Sequence, residues 1–154
     1  MKPLKGIKSL TVSILLGLSV LPSLAFAERT FVFDPKVHRW YAYENGELIN
    51  SGIASGGRDY CADSHHRCHS PIGVFRVLSK EGPECKSTIY PLPHGGAPMP
   101  YCMHFSKYYA IHGSYELSAT ANISHGCIRI QPDAARWLNQ EFLKIGDKVV
   151  VKPY

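Results

Sequence analysis

Apolar and polar residues alternate in several short segments of the chain, the pattern of strands with one buried face. The segments with this pattern are 30–33, 38–43, 48–54, 73–78, 108–112, 127–130 and 148–151. Asp34-Pro35 predicts a turn between the first two segments, and Asn45-Gly46 predicts a tight hairpin after the second. The pattern therefore predicts a mainly β domain.

One segment, residues 133–143, has the spacing of an amphipathic helix. Pro132 precedes it, and Asp133 suits the positive end of the helix dipole. Its apolar stripe consists of Ala134, Trp137, Leu138 and Phe142. Gly146 is expected to end this helix. The stretches 56–71 and 80–100 contain many polar, glycine and proline residues, and we expect both to be loops.

Residues 1–27 have the features of a secretory signal peptide. Three lysines precede an apolar run over 10–21, and Ala25-Phe26-Ala27 resembles a cleavage site. An uncleaved anchor is disfavoured because the apolar run is too short to span a bilayer comfortably. We expect the mature chain to begin at Glu28 and to form one domain, residues 28–154, without stable membrane insertion.

Cleavage of this leader changes the charge balance. Three of the 17 Lys and Arg residues and none of the 12 Asp and Glu residues lie in 1–27, so the formal net charge falls from +5 to +2. No run of Lys or Arg remains in residues 28–154. We therefore expect no nucleic acid partner, while the sequence makes no prediction of the oligomeric state.

The chain has five cysteines, all of them in the part that we expect to be exported. Export to an oxidising compartment favours disulfides, and an odd number leaves one thiol free. Four cysteines allow three pairings, among which the sequence does not choose with certainty. We favour Cys61–Cys68 and Cys85–Cys102, which leaves Cys127 free.

The most informative motif lies near the C-terminus. His112-Gly113 is followed, after a short loop, by Ser124-His125-Gly126-Cys127-Ile128-Arg129. The thiolate is the reactive form of cysteine, and imidazole generates it near neutral pH. A lone cysteine would more often be structural, but clustering with histidine and glycine favours a nucleophile. Glycine also lets backbone N–H groups approach a developing oxyanion.

Strand alternation around this motif directs the candidate groups to one side. Ile128 and Ile130 can enter the core together, so Cys127 and Arg129 emerge on the other face. His112 alternates with apolar neighbours in the same way. We therefore expect a nucleophile, a base and a cation to face one cleft.

These motifs resemble the catalytic domain of the L,D-transpeptidases (the YkuD family), which act on bacterial peptidoglycan. The family pattern is a histidine, a variable spacer and then Ser/Thr-His-Gly-Cys. Further similar segments are Ser55-Gly56-Gly57, Ser70-Pro71-Ile72-Gly73-Val74-Phe75, Met99-Pro100-Tyr101-Cys102-Met103-His104-Phe105, Asp133-Ala134 and Gly146-Asp147-Lys148-Val149-Val150. The resemblance covers nearly all of residues 28–154, and it implies a β-sandwich with one main helix near the C-terminus. The short spacer implies a small lid, and the segment from Cys61 to Cys68 is an addition to a minimal domain.

The resemblance also implies a reaction without a cofactor. Cys127 would be the nucleophile and His112 its general base, with the Gly113 carbonyl orienting the imidazole. The thiol would attack the L-centre carbonyl of a tetrapeptide stem, release the terminal D-Ala and form a thioester. An amine would then resolve that thioester.

The remaining site residues take supporting roles in this scheme. Backbone N–H groups at His125, Gly126 and the cysteine would form the oxyanion hole. Ser124 and His125 would shape the turn rather than exchange protons. Arg129 either binds a stem-peptide carboxylate or rigidifies the turn. Tyr101, beside the cleft, is expected to contact the substrate.

The acyl acceptor stays open at this level. The amine of a neighbouring stem would make a 3–3 crosslink, water would make the protein an L,D-carboxypeptidase or amidase, and a protein or a D-amino acid could also accept. A non-catalytic wall-binding or host-contact protein on the same fold is a further alternative. Each of these places the protein in the periplasm or at the cell wall, with a role in wall metabolism and cell shape.

A second cluster has the residue types of a metal site. Its members are Cys61, His65, His66, Cys68 and His69. Thiols and imidazoles at close spacing bind zinc or copper. In an exported chain a disulfide with exposed histidines is the better interpretation, and we expect no metal. The isolated residues His38, His94 and His104 are expected to face solvent or to be satisfied locally.

Overall fold

The computed structural model describes residues 27–154, and within that range the chain forms nine strands and one helical segment. The strands are β1 (Arg29–Asp34), β2 (Arg39–Glu44), β3 (Glu47–Ser55), β4 (Gly73–Arg76), β5 (Ser79–Lys80), β6 (Met103–Ser106), β7 (Tyr109–Gly113), β8 (Ile128–Ile130) and β9 (Lys148–Val151). The helical segment begins as α1 (Pro132–Trp137) and continues as a π-helical turn over Leu138–Phe142. The mainly β prediction is confirmed. The leader, apart from Ala27, lies outside the described residues.

The nine strands form one hydrogen-bonded order, β4-β9-β1-β2-β3-β8-β7-β6-β5. The pairs β1–β9 and β7–β8 are parallel, and the other pairs are antiparallel. The sheet curls, so that Phe75 of β4 meets Phe105 of β6 with ring centroids 5.4 Å apart. The two ends of the strand order therefore face each other across a shared core.

The core follows from the alternation of the strands. Phe31 and Phe33 of β1 are fully buried, as are Ile128 and Ile130 of β8. Trp40 is 2% exposed and stacks on Phe31 with ring centroids 6.0 Å apart. Burying side chains of this size removes the largest apolar areas from water, and this burial is the main stabilising contribution of the sheet.

The hairpin between β2 and β3 turns at the predicted dipeptide. Asn45 has a φ of 51° and Gly46 a φ of 84°. Two consecutive positive φ angles define the turn type that matches the twist of a two-stranded ribbon, and Asn-Gly adopts them most readily. The hairpin prediction is confirmed.

The helix differs from its prediction in how it ends. Its backbone is α-helical only as far as Trp137, and Leu143 is already extended. Gly146 has a φ of 96° but lies in the turn before β9, so it does not end the helix. The ammonium of Lys80 instead donates to the carbonyls of Asn139 and Leu143, which satisfies backbone groups at this end.

The hydrophobic pattern did not predict β5 and β6 as separate strands. The expected strand 73–78 stops at Arg76, and β5 follows as a two-residue strand of its own. β6 lies in a segment that the pattern left unassigned beyond the long loop. Within residues 27–154 the structure has no helix that is long and apolar enough to cross a membrane.

Candidate active site

Strands β7 and β8 place three of the predicted site residues on one face. Their parallel pairing sets His112 opposite Arg129, and Cys127 precedes Arg129 by two residues. Side chains two apart along a strand, or paired across neighbouring strands, project to the same side. Together they line a cavity of about 600 Å³. The structure thus brings thiol, imidazole and guanidinium together.

Cys127 is the free thiol of this site. The other four cysteines form Cys61–Cys68 and Cys85–Cys102, which confirms the favoured pairing. Burial raises the pKa of the Cys127 thiol, while hydrogen bonding from the Ala110 backbone and the charge of Arg129 act in the opposite direction. The thiol is therefore neutral at rest near neutral pH.

His112 is buried, with 4% of its surface exposed. Its Nδ1 lies 2.9 Å from the carbonyl oxygen of Gly113. Because a carbonyl only accepts hydrogen bonds, Nδ1 carries the proton and Nε2 keeps its lone pair. Burial lowers the pKa of His112 to about 4, with smaller contributions from Arg129 and His104, against the raising effect of the Gly113 hydrogen bond. A neutral imidazole with a free Nε2 can accept a proton.

The turn that carries the thiol is closed by Ser124. Its Oγ accepts a hydrogen bond from the N–H of Gly126 at 2.9 Å and donates to the carbonyl of Cys127 at 2.5 Å. The N–H of Gly126, which we expected in the oxyanion hole, is therefore already used within the turn. Among the described residues, the N–H of Cys127 has no hydrogen-bond acceptor.

Gly126 requires glycine for two reasons. Its φ of 123° lies in a region that side chains rarely allow. A Cβ at this position would lie 2.5 Å from the ring of Tyr109. The carbonyl of Gly126 accepts from Ser70 Oγ at 2.7 Å, and Tyr154 donates to that Oγ at 3.2 Å. The turn is thus anchored from behind by buried hydroxyl groups.

His125 lines the same cavity and contacts two loops. Its Nε2 lies 2.8 Å from Oδ2 of Asp63. Its ring lies 4.2 Å from the ring of Tyr90, with 31° between the planes. Neither partner was foreseen, because each is distant in sequence and no local pattern links it to the motif.

Two candidate substrate residues have different surroundings. Arg129 donates from Nη1 to Oε2 of Glu116 at 3.0 Å, and it lines the cavity. Tyr101 has a φ of 57°, packs against the main core and is not among the lining residues. We therefore do not place Tyr101 in the site.

His104 is a lining residue that the sequence reasoning assigned to solvent or local contacts. It pairs with Ala110 across β6 and β7, and Ala110 precedes His112 by two residues on the same face. The alternation of β6 could have indicated this position once its pairing with β7 was known. The pairing itself is a tertiary property.

The histidine-rich segment offers few metal ligands. Cys61 and Cys68 are bonded to each other, so neither provides a thiolate. His69 pairs instead with Oδ1 of Asp59 at 2.5 Å and stacks on Tyr154 at 3.7 Å. Both ligand groupings in residues 27–154 depend on disulfide-bonded cysteines. The reaction that we propose for this site uses no metal.

Comparison with known proteins identifies the class. Residues 28–151 match the family model of the L,D-transpeptidase catalytic domain, YkuD. The chain belongs to this family, as its motifs indicated. No curated protein matches the chain.

Solved structures support the same fold. An L,D-transpeptidase from Xylanimonas cellulosilytica is 26% identical with a TM-score of 0.70, and the match covers 83% of this chain and 62% of that one. An L,D-transpeptidase from Mycobacterium smegmatis is 26% identical with a TM-score of 0.66, covering 82% and 59%. L,D-transpeptidase 3 from Mycobacterium tuberculosis, in complex with a faropenem-derived adduct, is 22% identical with a TM-score of 0.67, covering 82% and 61%. The chain thus spans about three fifths of the length of these structures.

Proposed function

We propose that this protein is an exported, cysteine-dependent L,D-transpeptidase that acts on peptidoglycan stem peptides. One observation carries the proposal: Cys127, the cysteine outside both disulfides, lines the same cavity as a buried His112 whose Nδ1 is engaged by Gly113. Membership of the family supports the substrate class. Two disulfides support an oxidising compartment, in keeping with a cleaved leader and a periplasmic location.

The two catalytic groups are both neutral before substrate binds. Burial raises the pKa of the Cys127 thiol and lowers that of His112 to about 4. A preformed thiolate–imidazolium pair is therefore disfavoured in the free protein. The proton moves from sulfur to Nε2 as the sulfur attacks, which makes His112 a general base in that step.

The first half of the reaction replaces an amide by a thioester. The sulfur of Cys127 bonds to the carbonyl carbon of the L-centre in the third stem residue, and the carbonyl electrons move to oxygen. When the tetrahedral intermediate collapses, the C–N bond breaks and the proton on His112 goes to the leaving amine. D-Ala departs with its own carboxylate and a neutral or protonated amine.

The second half regenerates the thiol. An amine attacks the thioester carbonyl, His112 takes a proton from that amine, and the C–S bond breaks. The proton then returns to the sulfur of Cys127. We propose the side-chain amine of a neighbouring stem as the acceptor, which produces a 3–3 crosslink.

The oxyanion is stabilised by the backbone of the turn. The N–H of Cys127 is the best placed donor, because it has no other acceptor in residues 27–154, while that of Gly126 is held by Ser124. One oxyanion donor contributes about 2.7–4 kcal/mol to barrier lowering in comparable acyl transfers. Ser124 therefore acts by shaping the turn.

Intact mass spectrometry with a meropenem-type drug tests the proposal. We expect the wild type to gain one covalent adduct and Cys127→Ala to gain none, with an unchanged circular dichroism spectrum. A non-catalytic wall-binding protein would instead behave alike in both forms. Labelling of another residue, or a Cys127→Ala variant that still acts on stems, contradicts the assignment of the nucleophile.

The acceptor is then identified from muropeptide digests. Crosslinked 3–3 dimers support the transpeptidase, trimmed tripeptides indicate hydrolysis, and stems linked to protein indicate wall anchoring. Equal amounts of all three from wild type and Cys127→Ala would contradict an enzymatic role.

A further inference from the structure

The imidazole of His125 has no part in the proton transfers proposed for Cys127 and His112. It nevertheless makes two defined side-chain contacts. Its Nε2 donates to Oδ2 of Asp63 at 2.8 Å. Its ring lies against that of Tyr90, with centroids 4.2 Å apart. Three quarters of the His125 side chain is removed from solvent, whereas nearly half of the Asp63 side chain stays exposed.

The two partners of His125 come from different cross-linked loops. Asp63 lies inside the loop closed by Cys61–Cys68, and Tyr90 lies inside the loop closed by Cys85–Cys102. Both loops therefore meet the catalytic turn at one side chain.

The turn needs such support because of its glycine. Gly126 follows His125 directly, and glycine has the largest backbone freedom of any residue. Ser124 and Ser70 hold the turn from inside and behind. The His125 contacts hold its outer side, which faces the cavity.

Building on the thiol chemistry proposed above, we propose that Asp63 and Tyr90 are positioning residues that clamp His125 and keep the Cys127 turn in its acylation geometry. The Cys61–Cys68 disulfide belongs to the same device, since it fixes the loop that presents Asp63.

The clamp predicts a separation between reaction rate and stability. A partly exposed pair of this kind contributes only about 0–1 kcal/mol to folding, so Asp63→Ala, which leaves no acceptor for Nε2 of His125, should fold normally. Misplacing a reacting group by about 1 Å costs up to about 100-fold in rate. A variant that loses rate while its thermal midpoint stays unchanged has the signature of a positioning residue.

The experiment measures acylation of Cys127 by a carbapenem with time-resolved intact mass spectrometry, over a range of drug concentrations. For Asp63→Ala we expect the maximal rate constant to fall about 10- to 100-fold, with half-saturation changed by less than about twofold. Cys61→Ser/Cys68→Ser should show a similar fall. The triple variant should be no slower than either, because both changes release the same contact.

Glu44→Ala is the matched control. Glu44 accepts from Nε of Arg29 at 2.8 Å, the same distance as in the clamp, but this pair joins β1 and β2 away from the cavity. We expect it to leave the acylation rate unchanged. Amide hydrogen exchange of residues 124–127 provides a second readout, and it should become faster in Asp63→Ala and in Cys61→Ser/Cys68→Ser but not in Glu44→Ala.

The possible failures are distinguishable. A wild-type rate in Asp63→Ala, or rate losses that multiply in the triple variant, overturns the clamp even if Cys127 is acylated normally. If the wild type is not acylated at all, the proposed function fails instead. Hydrogen exchange then still decides the clamp, and unchanged protection of residues 124–127 in Asp63→Ala rejects it.

Discussion

The cavity has a floor and a wall that are built on different principles. The floor is β7 and β8 with Cys127, and it rests on Ile111, Ile128 and Ile130, all fully buried. The wall consists mainly of the loop 85–102, and the loop 61–68 supports it through the contact of Asp63 with the lining residue His125. Both loops have almost no strand pairing in their interior and are closed by disulfides. Backbone ladders and core packing hold the reacting groups, whereas covalent ties and single side-chain contacts hold the surface around them.

This difference shows how a small domain can maintain a cavity whose surrounding loops have no core of their own. Loops that surround a cavity bury little apolar surface of their own, so packing alone holds them weakly. A disulfide lowers the entropy of the unfolded loop without needing a local core. We therefore expect changes in the floor and changes in the wall to differ in kind as well as in size.

The largest effect is expected from removing the base on the floor. His112→Asn should lower the maximal acylation rate of Cys127 by about 10²- to 10⁴-fold, the usual contribution of a general base. Stopped-flow or mass-resolved carbapenem acylation measures this rate. His38→Asn removes an imidazole from the turn between β1 and β2 and should have no effect, since asparagine tolerates the φ of 53° found there.

The pH dependence of acylation checks the same residue. Because burial lowers the pKa of His112 to about 4, the imidazole stays neutral from pH 8 down to about pH 5. The rate should fall only when the pH drops below about 4. The unfolded chain binds a proton near the ordinary value of 6.5, so folding stability also declines as the pH falls from 6.5 towards 4. An acid limb centred near 6.5 would show that the imidazole is solvated.

The next effect concerns the packing under the floor. Ile128→Ala removes a fully buried side chain next to Cys127 and should destabilise folding by about 2–5 kcal/mol. Chemical denaturation measures the free energy of unfolding. Ile72→Ala is the control, since Ile72 is 54% exposed and should change that free energy by less than about 0.5 kcal/mol. Equal losses in both variants would contradict the packing argument.

The wall should respond through its disulfides. Cys85→Ser/Cys102→Ser opens a loop with a sequence separation of 17 and should cost about 3 kcal/mol of stability. Cys61→Ser/Cys68→Ser opens one with a separation of 7 and should cost about 2 kcal/mol. Unfolding free energies under oxidising conditions compare the two. A larger loss from the shorter loop would show that loop-closure entropy does not set the order.

The smallest effect belongs to the ion pair at the edge of the floor. Glu116 is 80% exposed and occupies Arg129. Glu116→Gln frees the guanidinium for a carboxylate of the incoming compound, so half-saturation of carbapenem acylation should fall by up to about fivefold, equivalent to roughly 1 kcal/mol. If Arg129 serves only to rigidify the turn, half-saturation will rise or stay the same.

Local patterns were sufficient for most of the fold. Two-residue alternation placed seven of the strands to within a few residues, and Asn45-Gly46 located the hairpin. The pattern did not predict β5, which has only two residues, β6, which alternates over only four, or the π-helical end of the helix. That end depends on Lys80, which is distant in sequence, so no local signal specifies it.

The sequence predicted the thiol and the imidazole of the proposed site, but not the residues that contact its motif. Cys127 and His112 belong to one short motif, and alternation indicates their direction. Asp63, Tyr90 and Glu116 contact that motif through pairings that no periodicity contains, and Tyr101 packs against the core without lining the cavity.

The sequence by itself determined the strand pattern, the motif and its family, because side-chain period and residue chemistry are local properties. Only the tertiary structure decided which hydrogen-bond donors of the turn are free, which residues contact His125 and how far the pKa of His112 is lowered. These properties depend on burial and on contacts between residues that are far apart in the sequence. Asp63 and His125, for example, are separated by 62 positions. Such contacts form only when the sheet has curled and the two loops have closed over it.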